Sequence, residues 1–212
     1  MFSIAIAKGR VLADTVDLFE QAGYDVSPLR EESRKLIFDL EDAGIRILVV
    51  RSQDVPAYVD RGAADAGVVG KDVLEEHGYT LYEPLDLKIS ECRLMVAGPK
   101  DAPKEARIGP LRIATKYGQL ATQHYSRKGI RIDVVHLYGA IELAPATGIA
   151  DKIVDLVETG GTLRANGLQE EELVMRSTAR FIVGRAALRL KSAKAREVIE
   201  RLGKVVPQGV AA

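Results

Sequence analysis

The stretch Asp151-Lys152-Ile153-Val154-Asp155-Leu156-Val157-Glu158-Thr159-Gly160-Gly161-Thr162-Leu163 decides how the rest of the chain is read. An apolar run of strand length delivers the backbone into two adjacent glycines, with a threonine on each side and the first turn of a helix expected behind them. Without side chains at two successive positions, the backbone can approach a ligand and turn its N–H groups inward, a geometry suited to an anion. The threonine hydroxyls add donors. Glu158 and Asp155 stand just upstream, where carboxylates suit the hydroxyls of a sugar attached to a phosphate. Asp151 and Asp155 are four apart, hence on one face of a strand. The same pattern also serves an ordinary strand–turn–helix connection, with the glycines needed only for the turn.

Outward from that loop, short apolar runs alternate with amphipathic segments along the whole chain, the pattern of an α/β protein. Strands are expected near 3–7, 35–40, 45–50, 66–69, 92–97, 111–115, 132–136, 152–157, 172–176 and 180–185. Val11, Leu12, Val16, Phe19 and Ala22 recur at helical spacing before Gly23, which supplies a stop. Ser52 reads as the cap of a helix over 53–60, with Pro56 in its first turn. Helices are expected over 117–128 and 141–149, and Ala195, Val198, Ile199, Leu202 and Val206 mark another near the C-terminus. The clearest loop is Gly98-Pro99-Lys100-Asp101-Ala102-Pro103-Lys104, two prolines among charges. A second lobe is therefore expected over 90–177, with 1–89 and 178–212 forming the first.

Composition narrows the function classes. Apolar residues make up 47% of 212 residues, enough for a substantial core, while aromatic residues are 5% and tryptophan is missing. Thirty basic residues balance thirty acidic ones. Nonspecific nucleic-acid binding needs an excess of cations, so no nucleic-acid partner is expected and any anion site must be a local cluster. Cys92 is the single cysteine, which excludes an intrachain disulfide and a multi-thiolate metal site. His77, His124 and His136 are scattered without ligand spacing, so no metal site built by the protein alone is expected. The first residues turn polar at Lys8 and no run reaches the length of a membrane span. A cytoplasmic protein with no membrane partner is expected.

The run 151–168 resembles the corresponding segment of ATP phosphoribosyltransferases, and its Thr-Gly-Gly-Thr resembles the phosphoribosyl-pyrophosphate (PRPP) loops of phosphoribosyltransferases at large. Further segments carry the resemblance: Ala7-Lys8-Gly9-Arg10, Ser33-Arg34-Lys35-Leu36, Ala64-Asp65-Ala66-Gly67-Val68-Val69-Gly70-Lys71-Asp72, and Tyr138-Gly139-Ala140-Ile141-Glu142-Leu143-Ala144-Pro145. The resemblance implies an α/β fold of two lobes like the type II periplasmic binding proteins, with the active-site cleft between them. It implies transfer of the phosphoribosyl group of PRPP to the adenine ring of ATP with release of pyrophosphate, the first step of histidine biosynthesis. Magnesium is expected to arrive with the substrate phosphates.

Developing charge on the ribose and on the departing pyrophosphate makes positioning and electrostatics the main demands. Arginine suits this because its planar fork bridges phosphate oxygens and stays charged. Arg10 and Arg34 are expected to be catalytic, stabilising the leaving group. Asp151, Asp155, Glu158, Thr159, Gly160, Gly161 and Thr162 are expected to bind PRPP. Lys8, Gly9, Gly70, Lys71, Asp72, Lys116, Tyr117 and Glu142 are expected on the ATP and pyrophosphate side. Long members of the family carry a C-terminal regulatory domain, and the end of this chain soon after Arg185 resembles the short form. Expected partners are ATP, PRPP, a second copy of the chain, and a regulatory subunit resembling histidyl-tRNA synthetase that supplies the histidine site. A phosphoribosyltransferase with another acceptor base and a non-catalytic two-lobed solute-binding protein are the alternatives.

Overall fold

A computed structural model describes residues 1–31, 33–101 and 109–206. In chain order the first elements are β1 (Phe2–Ala7), α1 (Arg10–Gln21), α2 (Ser27–Arg30), β2 (Ile37–Leu40), β3 (Ile45–Val50) and α3 (Val55–Asp60). There follow β4 (Ala66–Gly70), α4 (Lys71–His77), β5 (Tyr82–Asp86), β6 (Cys92–Pro99), β7 (Leu111–Thr115), α5 (Gly118–Ser126) and β8 (Ile132–His136). The last are α6 (Leu143–Ala146), β9 (Lys152–Val157), α7 (Gly161–Ala165), β10 (Leu168–Ser177), β11 (Ala179–Val183), α8 (Arg185–Leu190) and α9 (Ser192–Val205).

These elements form two compact units: Met1–Glu91 with the described residues from Thr178 on, and Cys92–Ser177. Unit 1 is built on a mixed sheet in the order β2-β3-β1-β4-β11-β5. β1 runs parallel to β3 and β4, while β2 and β11 run antiparallel to their neighbours. The central strand β1 is almost wholly buried, as a parallel strand covered on both faces must be. Unit 2 has the order β10-β6-β9-β7-β8, with β9, β7 and β8 parallel. Its two faces bury separate apolar clusters, one around Ile153 and Leu163 and the other around Val154 and Tyr117. In both units the C-terminal ends of parallel strands deliver the loops that bear the candidate site, as in open α/β sheets generally.

Several local expectations change. Ser52 does not cap a helix: Ser52–Asp54 form a 3-10 turn and α3 starts at Val55, with Pro56 in its first turn. Of the helix expected over 141–149, only Leu143–Ala146 is helical. The strand expected over 172–176 extends to Leu168–Ser177, and that over 180–185 stops at Val183 because Arg185 opens α8. The Gly98–Lys104 loop begins later than expected, since Gly98 and Pro99 pair with β10, and residues 102–104 lie outside the described residues. β5 had no counterpart in the sequence reading. It holds Pro84, and it is an edge strand, where a residue without an N–H is tolerated.

Candidate active site

In unit 2, β9 leads into Glu158 and Thr159, and Gly160 turns the chain at φ 71° into α7. Gly160, not Gly161, is the position that needs a left-handed backbone, the conformation glycine adopts without a Cβ penalty. A Cβ on Gly160 would also meet the ends of Glu170 and Arg164 at 2.8 and 2.9 Å, whereas one on Gly161 meets only Thr159 Oγ1 at 3.6 Å. Gly161 is thus open on its outer side. The Arg164 guanidinium donates to the Thr159 carbonyl at 3.0 Å, bracing the turn from inside; nothing in its sequence position signals that role.

The loop walls a recess of about 270 Å³ that Glu142 and Asp155 also line, together with Glu158, Thr159, Gly160, Gly161 and Thr162. Asp155 accepts from the Leu156 amide at 2.8 Å, and the Lys116 ammonium lies 3.8 Å from it. Lys116 therefore belongs to the same group. Two expected residues do not join it. Asp151 stands before the first residue of β9, roughly 20 Å along the strand from the loop at ~3.3 Å per residue. There it accepts from the Arg112 amide at 2.8 Å and pairs with the Arg112 guanidinium at 3.1 Å. Tyr117 is 1% exposed and lies in the apolar cluster under the sheet, so its ring is core, not cleft wall.

In unit 1, Gly9 at φ 96° turns the chain from β1 into α1, with Lys8 before it and Arg10 as the first helical residue. Arg10 donates to the carbonyls of Ser90 and Glu91, both at 3.1 Å. Lys8 and Arg34 line one cavity of about 710 Å³. Gly70, Lys71 and Asp72 do not present a ready cation. Gly70 ends β4, and Asp72 is 3% exposed. The Lys71 ammonium lies 2.8 Å from Glu75 and 3.0 Å from Glu83. Burial alone would depress its pKa; the bonds to Glu75 and Glu83 outweigh that and raise it. Its charge is spent within its own unit.

The model of the family described as HisG: ATP phosphoribosyltransferase matches residues 51–204. The ATP phosphoribosyltransferase of Pseudomonas syringae pv. syringae (strain B728a) is 47% identical over 207 residues, 97% of each chain. That of Pseudomonas aeruginosa PAO1 is also 47% identical over 97% of each chain. Among solved structures, the ATP phosphoribosyl transferase (HisG:HisZ) complex from Thermotoga maritima matches with TM-score 0.82 and 32% identity, covering 97% of this chain and 98% of that one. The Bordetella pertussis BvgS VFT2 domain matches at TM-score 0.58 with 15% identity, over 97% of this chain and 86% of that one; it shows the fold alone, a two-lobed α/β fold of the type II periplasmic-binding-protein kind. The chain belongs to the ATP phosphoribosyltransferase family.

Proposed function

We propose that this protein transfers the phosphoribosyl group of PRPP to a ring nitrogen of the adenine of ATP, releasing pyrophosphate, as the first step of histidine biosynthesis. The observation that carries the reading is the turn at Gly160–Gly161, set between two threonines and lined by Glu142, Asp155 and Glu158. It offers N–H and hydroxyl donors to a phosphate and carboxylate acceptors to the hydroxyls of the attached ribose. In the reaction an adenine nitrogen lone pair forms a bond to the ribose C1, and the bond from C1 to pyrophosphate breaks with its electron pair leaving on oxygen. The nucleophile needs no strong base, so the chain's task is orientation and charge stabilisation. Arg10 and Arg34 are assigned to the departing pyrophosphate, Lys8 and Gly9 to the polyphosphate of ATP, and Lys116 to holding Asp155 in place.

Among the described residues no three His, Cys, Asp or Glu side chains gather as a metal site. The carboxylate oxygens of Asp155 and Glu158 are hard donors of the kind magnesium takes, and they would hold a magnesium ion carried in on PRPP. Bound there, the ion would neutralise phosphate charge. The solved relative from Thermotoga maritima is a HisG:HisZ complex, and a regulatory partner of that kind, together with a second copy of this chain, is proposed as its assembly. No helix among the described residues is long and apolar enough to cross a membrane; the cytoplasm is proposed as the place of this biosynthetic step. The test is incubation of the full chain with ATP, PRPP and magnesium, following pyrophosphate release and the change in adenine absorbance. Transfer to another base in place of ATP, or solute binding without turnover, would overturn the proposal.

A further inference from the structure

Within unit 1, Arg10 and Asp14 stand four residues apart on α1, hence on one face of the helix, and both reach the segment 90–91. The Arg10 guanidinium donates from Nη2 to the carbonyls of Ser90 and Glu91, both at 3.1 Å. The Ser90 hydroxyl in turn donates to the Asp14 carboxylate at 2.6 Å. In an extended chain successive carbonyls point to opposite sides, so two in a row do not face one nitrogen. Ser90 breaks that alternation at φ 53°, a left-handed conformation that costs any residue with a Cβ. Strain of this kind collects at functional sites, where the surrounding structure holds it. The segment has anchors of its own besides Arg10. The Leu87 amide donates to the Ala179 carbonyl at 2.9 Å, and the Ala179 amide to the Ile89 carbonyl at 3.0 Å. Leu87 is fully buried. Tied in this way to β11, the segment is a fixed platform for the two side chains of α1.

We propose that Ser90 and Asp14 are positioning residues for Arg10, holding its guanidinium in the orientation that meets the departing pyrophosphate. The proposal rests on the phosphoribosyl-transfer reading above, which assigns Arg10 to that leaving group. A guanidinium carries five N–H donors in a rigid plane. Two bonds from one nitrogen set the tilt of that plane, and with it the direction in which the other nitrogens point. Asp14 acts through Ser90: its carboxylate fixes the Ser90 hydroxyl, and so the turn whose carbonyls hold the guanidinium. A long arginine side chain left to itself samples many rotamers. Fixing it before the reaction removes that reorganisation as charge develops on pyrophosphate. A purely structural tie between α1 and this segment would lower stability and leave the rate of transfer alone.

Three substitutions separate the two roles. Ser90→Ala keeps the backbone carbonyl and removes only the hydroxyl, Asp14→Ala removes its acceptor, and Asp14→Asn retains an oxygen that can accept. On the full chain with ATP, PRPP and magnesium, Ser90→Ala and Asp14→Ala should each lower kcat about tenfold, the scale of one lost hydrogen bond. Both KM values should stay within about twofold of the parent. Asp14→Asn should restore most of the rate. In an Arg10→Ala background neither Ser90→Ala nor Asp14→Ala should lower kcat further, because residues that act through one group are not additive. Melting curves for every variant, with kinetics read well below each transition, keep loss of fold apart from loss of rate. Parental kcat in both Ser90→Ala and Asp14→Ala, or an equal further loss in the Arg10→Ala background, would overturn the proposal. An Asp14→Asn variant as slow as Asp14→Ala would do the same. Where Arg10→Ala is slow, these outcomes sink the positioning role alone; Arg10→Ala at the parental rate sinks the assignment of Arg10 on which it rests.

Discussion

At the residue scale the two glycines of the turn between β9 and α7 carry different burdens. Gly160 holds φ 71° and Gly161 does not, so a branched side chain should act differently at each. Gly160→Val forces a left-handed backbone on a β-branched residue, at roughly 1–2 kcal/mol, and pushes against Arg164 and Glu170. It should lower the melting temperature by a few degrees, at about 2–4 °C per kcal/mol for a chain of this size. Gly161→Val should melt with the parent, because its Cβ has room, and should still raise the KM for PRPP by filling the phosphate's approach. Calorimetry with Michaelis kinetics separates the two, and parental PRPP affinity in Gly161→Val would end the loop's assignment. Arg10 and Arg34 differ in the same way. Each replaced by Ala should lose turnover by ~10²–10³ if its charge contact strengthens as pyrophosphate leaves. Arg10→Ala should also lose stability, because its bonds to Ser90 and Glu91 hold a segment where Lys88 and Ser90 both sit at positive φ. Parental kinetics in both variants would remove them from the reaction.

At the element scale, Asp86 at the end of β5 ties together β5, β11 and the turn after β5. Its carboxylate accepts from the Thr178 hydroxyl at 2.6 Å and the Lys88 amide at 3.1 Å, and it pairs with Lys88 at 2.7 Å and Arg180 at 3.2 Å. Burial alone would raise its pKa, but the bonds from Lys88 and Thr178 outweigh burial and hold it below the ordinary carboxylate value. A depressed carboxyl pKa contributes stability above the unfolded value, near ~3.9, and that contribution is lost as pH falls through the folded value. Asp86→Asn should therefore cost about 2–3 kcal/mol at neutral pH, the scale of breaking a partly buried charged network, and its deficit should shrink below about pH 4. Urea melts at pH 7 and pH 3 check this; an equal deficit at both would show that the charge is immaterial. Such cross-element ties explain what the sequence could not disclose. Strands such as Ile45–Val50 and Lys152–Val157 were legible because apolar runs name themselves, and the turn at Gly160–Gly161 was legible because its residues are contiguous. β5 was not, since Pro84 argues against a strand until an edge position permits it. Residue parity put Asp151 on the face of Asp155 but says nothing of which strand end a ligand visits. The spacing of Lys116-Tyr117 likewise cannot tell a lysine near Asp155 from a tyrosine turned into the core.

At the scale of the whole molecule, the reading above assigns the sugar phosphate of PRPP to unit 2 and the polyphosphate of ATP to unit 1, so the two substrates should leave distinct marks when each binds alone. A ligand that binds only the folded state slows the exchange of the amides it protects by about 1 + [L]/Kd, near a hundredfold at a hundred times Kd. PRPP with magnesium should protect the amides of 158–163, where the backbone turns around Gly160 and the short helix α7 begins. ATP, added alone, should protect the turn at 8–9, where Lys8 and Gly9 are assigned to its polyphosphate, and leave 158–163 unprotected. The amides of β1 and β11 serve as internal references: both strands are buried within their sheet and exchange only through larger openings, so neither should respond first. Net charge is zero over the chain, so no long-range field should blur the two patterns, and moderate salt should weaken each protection only through its local cations. Hydrogen exchange followed by mass spectrometry on the full chain, with one substrate at a time so that nothing turns over, reads both units in one experiment. PRPP protection confined to the turn at 8–9 would place the sugar phosphate in unit 1 and reverse the assignment of both sites.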